Sequence, residues 1–308
     1  MRPARPSLFP VVALLVASLV PTAARAGNLV RGVRSKLSAG DLASGQAAVE
    51  AHRKATGVDA EYLDAVGWLA RGAQMLGRPD LAAAWVAELR REIPAEKPDL
   101  LIPLGAAIEV EAKLRLARDG RGAAVSYLEG EAIRAKDVAL RSRIRKSLDL
   151  LTLEGQPAPP LGLADHVGPA PRALAELKGR PVLLFLFARW CGDCKAEAPA
   201  LARLSSTYAP KGLALVAATR LYGPGEDGKP ATPAEEKELV EKSWRESYPG
   251  LESVPVVLDT ETMVTYGASA TPTYVLVDRK GVVRLYAPTR LAESELARRI
   301  EDLLAETP

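Results

Sequence analysis

Val182-Leu183-Leu184-Phe185-Leu186-Phe187-Ala188-Arg189-Trp190-Cys191-Gly192-Asp193-Cys194-Lys195 is the stretch whose reading decides the fold, and it holds the only two cysteines of the 308 residues. The unbroken apolar run Val182–Phe187 has the character of a strand buried on both faces. A Cys-x-x-Cys follows it directly and opens a helix-like segment. At such a junction the unpaired N–H groups and positive dipole end of the helix favour thiolate over thiol at the first sulfur. The second sulfur, one turn on, can attack a mixed disulfide and release a substrate.

Downstream, strand and helix signals alternate. Asp193–Tyr208 reads as one helix containing Pro199, Leu213–Ala218 as a second strand, and Pro233–Ser247 as a charged helix opened by Thr232-Pro233-Ala234-Glu235. Val254–Leu258 and Thr273–Asp278 read as strands, and Arg279-Lys280-Gly281 turns the chain back into Val282–Tyr286. Glu293–Leu304 closes with an amphipathic helix. The order is β-α-β, a helical insertion, then β-β-α.

Residues 156–308 resemble the thioredoxin superfamily. They are most similar to its exported TlpA/ResA-like, redoxin-related thiol–disulfide oxidoreductases, of the kind that keep haem-attachment cysteines reduced during cytochrome c assembly. The resemblance rests on Gly179-Arg180-Pro181-Val182, Trp190-Cys191-Gly192-Asp193-Cys194-Lys195-Ala196-Glu197-Ala198-Pro199, and Ala270-Thr271-Pro272-Thr273-Tyr274 with its continuation to Gly281. It implies an α/β thioredoxin-like domain with Cys191 as nucleophile and Cys194 as resolving thiol, and it calls for no bound cofactor. It also implies a cis peptide before Pro272 that lets the Thr271 backbone pair with an extended substrate, and places Trp190 beside the disulfide. Glu197, one turn after Cys194, becomes the residue that exchanges protons with the pair. That role gains weight because Phe185 stands where cytoplasmic thioredoxins carry a buried aspartate. Asp193 departs from the family's usual residue and, as a carboxylate, disfavours the nearby thiolate, which makes the protein a better reductant. Arg189 is expected to be solvated.

Competing readings of the cysteines are a zinc site, a structural disulfide and a peroxidase. Zinc needs four ligands and the motif supplies two, leaving His52 and His166 as soft partners, in the helical half and in a linker. A peroxidase would carry a threonine three residues before its reactive cysteine, where this chain has Ala188.

The other half is of another kind. Residues 27–155 are rich in alanine and leucine at helical spacing. Similar turn segments recur at Gly40-Asp41-Leu42-Ala43, Gly77-Arg78-Pro79-Asp80 and Gly120-Arg121-Gly122-Ala123, 37 and 43 residues apart. They predict an all-α helical-repeat domain of tetratricopeptide type, with an ordinary bundle as the alternative. In the best unit, Glu61–Leu76 and Asp80–Arg91, the seam is expected at Leu69, Ala70 and Ala73 against Leu81, Ala84 and Val86. Residues 154–172 hold five prolines and three glycines. They read as a linker or an entry arm. As a linker they would keep two sites apart but within reach, whereas Gln156-Pro157-Ala158-Pro159-Pro160-Leu161 resembles the Ala-Pro-apolar opening of the domain in the exported thioredoxin relatives.

Arg2 and Arg5, the apolar run Leu8–Val20 and Ala24-Arg25-Ala26 read as a signal peptide spanning 1–26, an uncleaved anchor being the lesser alternative. That reading predicts export to the periplasm or an equivalent space, where disulfide chemistry is useful. Arg2, Arg5 and Arg25 account for the whole net charge of +3, so 38 basic residues of the 41 then face 38 acidic ones. With charge balanced and aromatics at only 5%, nucleic acid is not an expected partner. The partners expected instead are protein disulfide substrates, a membrane thiol electron donor, and a protein held by the helical half. A helical scaffold with an accessory redox domain and a disulfide-donating oxidase are the alternatives to a reductase.

Overall fold

Aspartates start three of the helices in the first half. The side chains of Asp41, Asp59 and Asp137 accept hydrogen bonds from the backbone N–H groups of Ser44, Tyr62 and Ala139 at 3.0, 2.7 and 2.7 Å, satisfying donors that a helix start leaves unpaired. In this computed structural model, which describes residues 28–223, 225 and 229–306, the first half is built of α1 (Asn28–Ser38), α2 (Leu42–Thr56), α3 (Ala60–Met75), α4 (Pro79–Glu92), α5 (Leu101–Asp119), α6 (Arg121–Arg134) and α7 (Val138–Thr152). The segment read as a signal peptide lies outside the described residues.

The odd-numbered helices pack in succession, α1 on α3, α3 on α5 and α5 on α7, and each even-numbered helix packs on its chain neighbours. That is a stack of helical hairpins. The three recurring glycine segments are the turns inside the hairpins. Gly77 has φ +69°, a left-handed value that lets α3 stop and Pro79 begin α4. In the seam Leu69, Ala70, Ala73 and Val86 are buried as expected, but Ala84 is exposed and Leu81 only half-buried. Ala82 and Leu89 take the buried places, because the α4 stripe runs through 82, 86 and 89 at helical spacing.

The second half is a six-stranded sheet: β1 (His166–Val167), β2 (Val182–Leu186), β3 (Ala214–Thr219), β4 (Val256–Leu258), β5 (Thr273–Val277) and β6 (Val283–Ala287), in the order β1-β4-β3-β2-β5-β6. β2, β3 and β4 run parallel, β5 is antiparallel to β2, and β6 to β5. The helices are α8 (Gly192–Ala196), α9 (Ala198–Tyr208), α10 (Pro233–Ser247), α11 (Thr260–Thr265) and α12 (Glu293–Ala305). Alternation along β2 feeds two cores. Leu183 and Phe185 pack with α9, α10 and α12. Leu184 and Leu186 pack with Met263 of α11, Tyr266 just after it, and Leu153 just beyond α7. This is the thioredoxin-like α/β fold behind an all-α region.

Two expectations are corrected. The proline-rich stretch is the entry arm of the sheet domain and not a linker that spaces two sites. Gly155 N–H donates to Val283 O and Ala158 N–H to Gly281 O, both at 2.8 Å. The Tyr266 hydroxyl reaches Pro159 O, Leu161 is buried in the sheet core, and His166–Val167 pairs with β4. Prolines stop helices, yet they suit an extended arm laid along a sheet edge. Consequently α7 packs directly on α11 and β6, and the two halves are not spaced apart. The helix expected over 193–208 is in fact broken at Glu197, between α8 and α9. Pro199 has no N–H to donate back to Lys195, which ends the first helical turn there.

Candidate active site

β2 delivers its chain to the site through Phe187, whose N–H still pairs with Ala218 O at 2.9 Å. The backbone then turns through Arg189 and Trp190, and Cys191 caps α8. Cys191 and Cys194 are joined in a disulfide. Cys194 is fully buried, whereas Cys191 is part-exposed. The backbone N–H of Cys194 points at Cys191 Sγ from 3.0 Å. A donor aimed at that sulfur stabilises negative charge on it once the bond is reduced.

β5 supplies the opposite wall. The Thr271–Pro272 peptide is cis, Pro272 is buried at the start of β5, and the Thr271 carbonyl oxygen lies 3.4 Å from Cys191 Sγ. Trp190 is 52% exposed and meets Tyr222 edge-on at 4.3 Å between ring centroids. It thus forms the rim of the site. Arg189, expected in solvent, is half-buried, with its guanidinium 5.8 Å from the centre of the Trp190 ring, within reach of a cation–π contact.

Glu197 is buried beneath the disulfide helix. One carboxylate oxygen accepts the Tyr274 hydroxyl at 2.8 Å and the other accepts Arg290 Nε at 2.7 Å. Burial pushes the Tyr274 phenol up, and its bond to Glu197 adds to the rise, so the hydroxyl stays a neutral donor. Arg290 also lies 3.6 Å from Asp193, which offsets the thiolate-disfavouring charge that Asp193 brings. Phe185 packs against Phe187, Tyr248 and Tyr274 at centroid separations of 5.7, 6.0 and 5.6 Å. The volume beneath the cysteines is therefore aromatic, and Glu197 brings the carboxylate from the helix side.

Sequence reasoning named Cys191, Cys194, Glu197, Trp190, Thr271 and Pro272, and the fold brings all six to one end of the sheet. It missed Tyr274 and Arg290 as partners of Glu197. Tyr274 stood inside a quoted motif, where strand alternation aims it at the face that holds Phe185. Arg290 lies in a loop with no motif around it. Neither histidine joins the site: His52 pairs with Asp59 at 3.0 Å in the helical half, and His166 sits in edge strand β1.

A family model described as Redoxin matches residues 153–295. The thioredoxin-like protein YneN of Bacillus subtilis is 29% identical over 149 residues, 48% of this chain and 79% of the relative. The thiol-disulfide oxidoreductase ResA of Bacillus subtilis is 30% identical over 143 residues, 46% of this chain and 70% of the relative. Among solved structures, a putative thiol:disulfide interchange protein DsbE from Chlorobium tepidum is 24% identical, covering 49% of this chain and 98% of its own, with a TM-score of 0.38. The motif and the fold agree with the 30% identity to ResA over 70% of that relative, and the chain belongs to the ResA-like thiol-disulfide oxidoreductases of the thioredoxin-like superfamily.

Proposed function

We propose that the Cys191–Cys194 pair reduces or exchanges disulfides of protein substrates in an exported compartment. The observation that carries this is the asymmetry of the pair: an accessible Cys191 Sγ receives the Cys194 N–H, over a buried Cys194. In the reductive direction the Cys191 thiolate attacks one sulfur of a substrate disulfide. That bond breaks, and its other sulfur leaves as a thiolate that takes up a proton. Cys194 then attacks the mixed disulfide, releases the second substrate thiol and closes the Cys191–Cys194 bond. Two electrons pass to the substrate, and an external dithiol must return them; a membrane thiol donor is the class of partner that fits.

Thr271 and Trp190 flank Cys191, one through its backbone carbonyl and one through its exposed ring, so an extended segment laid there presents its cystine to the sulfur. Glu197 exchanges protons with the pair, held in place by Tyr274 and Arg290. Export is supported by the basic, apolar and small-residue order of residues 1–26. Among the described residues no helix is long and apolar enough to cross a membrane.

Cys194→Ala should accumulate mixed disulfides through Cys191 in the exported fraction of a host, released by dithiothreitol and identified by mass spectrometry. No adduct on Cys191 defeats the reading. A reduction potential near that of strong oxidants would reassign the direction to disulfide donation.

A further inference from the structure

We propose that the cleft beside Cys191, walled on one side by α7, binds a carboxylate-bearing side chain next to the substrate's reacting cystine, so that the helical half helps choose the substrate. The inference rests on the thiol–disulfide exchange proposed above. The cleft measures about 210 Å³, below the ~300–1,000 Å³ of ordinary small-molecule pockets, and is of a size for a side chain. Ser142 and Arg143 line it from α7, Arg220 and Tyr222 from the segment after β3, and Ser269 and Thr271 from the approach to β5. Thr271 is the same residue whose carbonyl meets Cys191 Sγ, so an occupant of the cleft lies beside the reacting sulfur.

The lining chemistry is cationic. Two arginines and no acidic residue line it. Among the described residues the Arg143 guanidinium makes no hydrogen bond and no close ion pair. The carboxylate it acts on most, Asp64, lies outside the cleft lining and beyond ion-pair distance, and Arg71 shares it. Arg220 lies over the Tyr222 ring at 4.0 Å, an arrangement that fixes its plane while leaving N–H groups to donate. Ser269 Oγ is buried with no hydrogen-bond partner among the described residues. Planar donors and an unpaired hydroxyl around a small polar cleft match a carboxylate.

The test is single-turnover reduction by the full, pre-reduced chain of two cystine-bridged peptides that differ only in Glu or Gln beside one cysteine. Wild type should reduce the Glu peptide about tenfold faster, roughly the worth of one charge-assisted contact, with the ratio shrinking as salt rises. Arg143→Gln should bring the ratio to about one, and Arg143→Lys should restore part of it. Arg220→Gln, on the opposite wall, should lower the same ratio and stands in should Arg143→Gln fail to fold. Equal rates in wild type, or a ratio untouched by both Gln variants, overturn the inference alone. A wild type that reduces neither peptide removes the exchange reading and this inference with it.

Discussion

Gly267 lies against the backbone of Lys146 so closely that no Cβ fits at Gly267. A methyl there would run into the Lys146 amide and come within 2.8 Å of the Tyr286 hydroxyl. Gly267 also has φ +54°, a region that costs any other residue. It sits where the loop after α11 meets α7, so the two halves touch through backbone. Two further links span the seam: Arg141 bridges Glu261 in a fork at 3.0 and 2.8 Å, and Tyr286 N–H donates to Glu154 at 2.9 Å. Gly267→Ala should therefore lower unfolding free energy by about 2–4 kcal/mol, read by urea denaturation of the full chain. An unchanged midpoint would mean that the halves do not bear on each other.

In the reduced protein, a limiting dose of iodoacetamide at neutral pH should modify Cys191 before Cys194. Exposure and the Cys194 N–H both favour reaction at the first sulfur. Cys191→Ser should abolish disulfide reduction, and Cys194→Ser should stop after one attack with the substrate still attached. Peptide mapping that finds Cys194 alkylated first reverses the assigned order.

The redox end of this molecule was legible because its signals are local. An apolar run before Cys-x-x-Cys places a strand end and a helix start within fourteen residues, and Ala270–Tyr274 marks the facing wall. For residues 154–172 the sequence leaves linker and entry arm open, because prolines carry the same signature whether or not something covers them. Their partners, Val283, Gly281 and Tyr266, lie more than a hundred residues away, the first two acting through backbone carbonyls and the third through its hydroxyl. Arg290 was invisible for a related reason, since its role exists only once the loop after β6 returns beneath α8. Ala84 failed by half a helical turn, the ordinary error of placing a stripe without knowing which neighbour it faces.

Glu197→Gln should keep the Tyr274 hydrogen bond and weaken the one to Arg290, since a neutral amide accepts from a guanidinium less strongly than a carboxylate. The expected result is a shifted pH–rate profile for exchange at Cys191, with loss of about 1–3 kcal/mol of stability. Tyr274→Phe tests the other oxygen. It leaves a buried acceptor unpaired while sparing the charge, so it should cost similar stability and move the pH profile less. Identical profiles for wild type and Glu197→Gln would reduce Glu197 to a structural anchor.

Asp149 makes stability depend on pH in the direction opposite to most carboxylates. It lies on α7 facing the sheet half, its side chain fully buried, and burial raises its pKa to about 7 although Arg145 Nε donates to it at 2.7 Å and pulls the other way. The tyrosines that face it, Tyr266 and Tyr286, are pushed up by burial and by Asp149 itself, so they stay neutral and offer no compensating charge. Between about pH 4 and 7 the folded chain holds a proton here that the unfolded chain has released. Stability is therefore greatest at the acid end of that window and falls as pH rises through it, by a few kcal/mol at most. Asp149→Asn keeps an acceptor for Arg145 and removes the titration. Urea midpoints measured from pH 5 to pH 8 should decline more steeply in wild type than in Asp149→Asn, with the variant the more stable of the two at pH 8. Parallel curves would show that Asp149 is charged throughout and that its ion pair with Arg145 outweighs its burial.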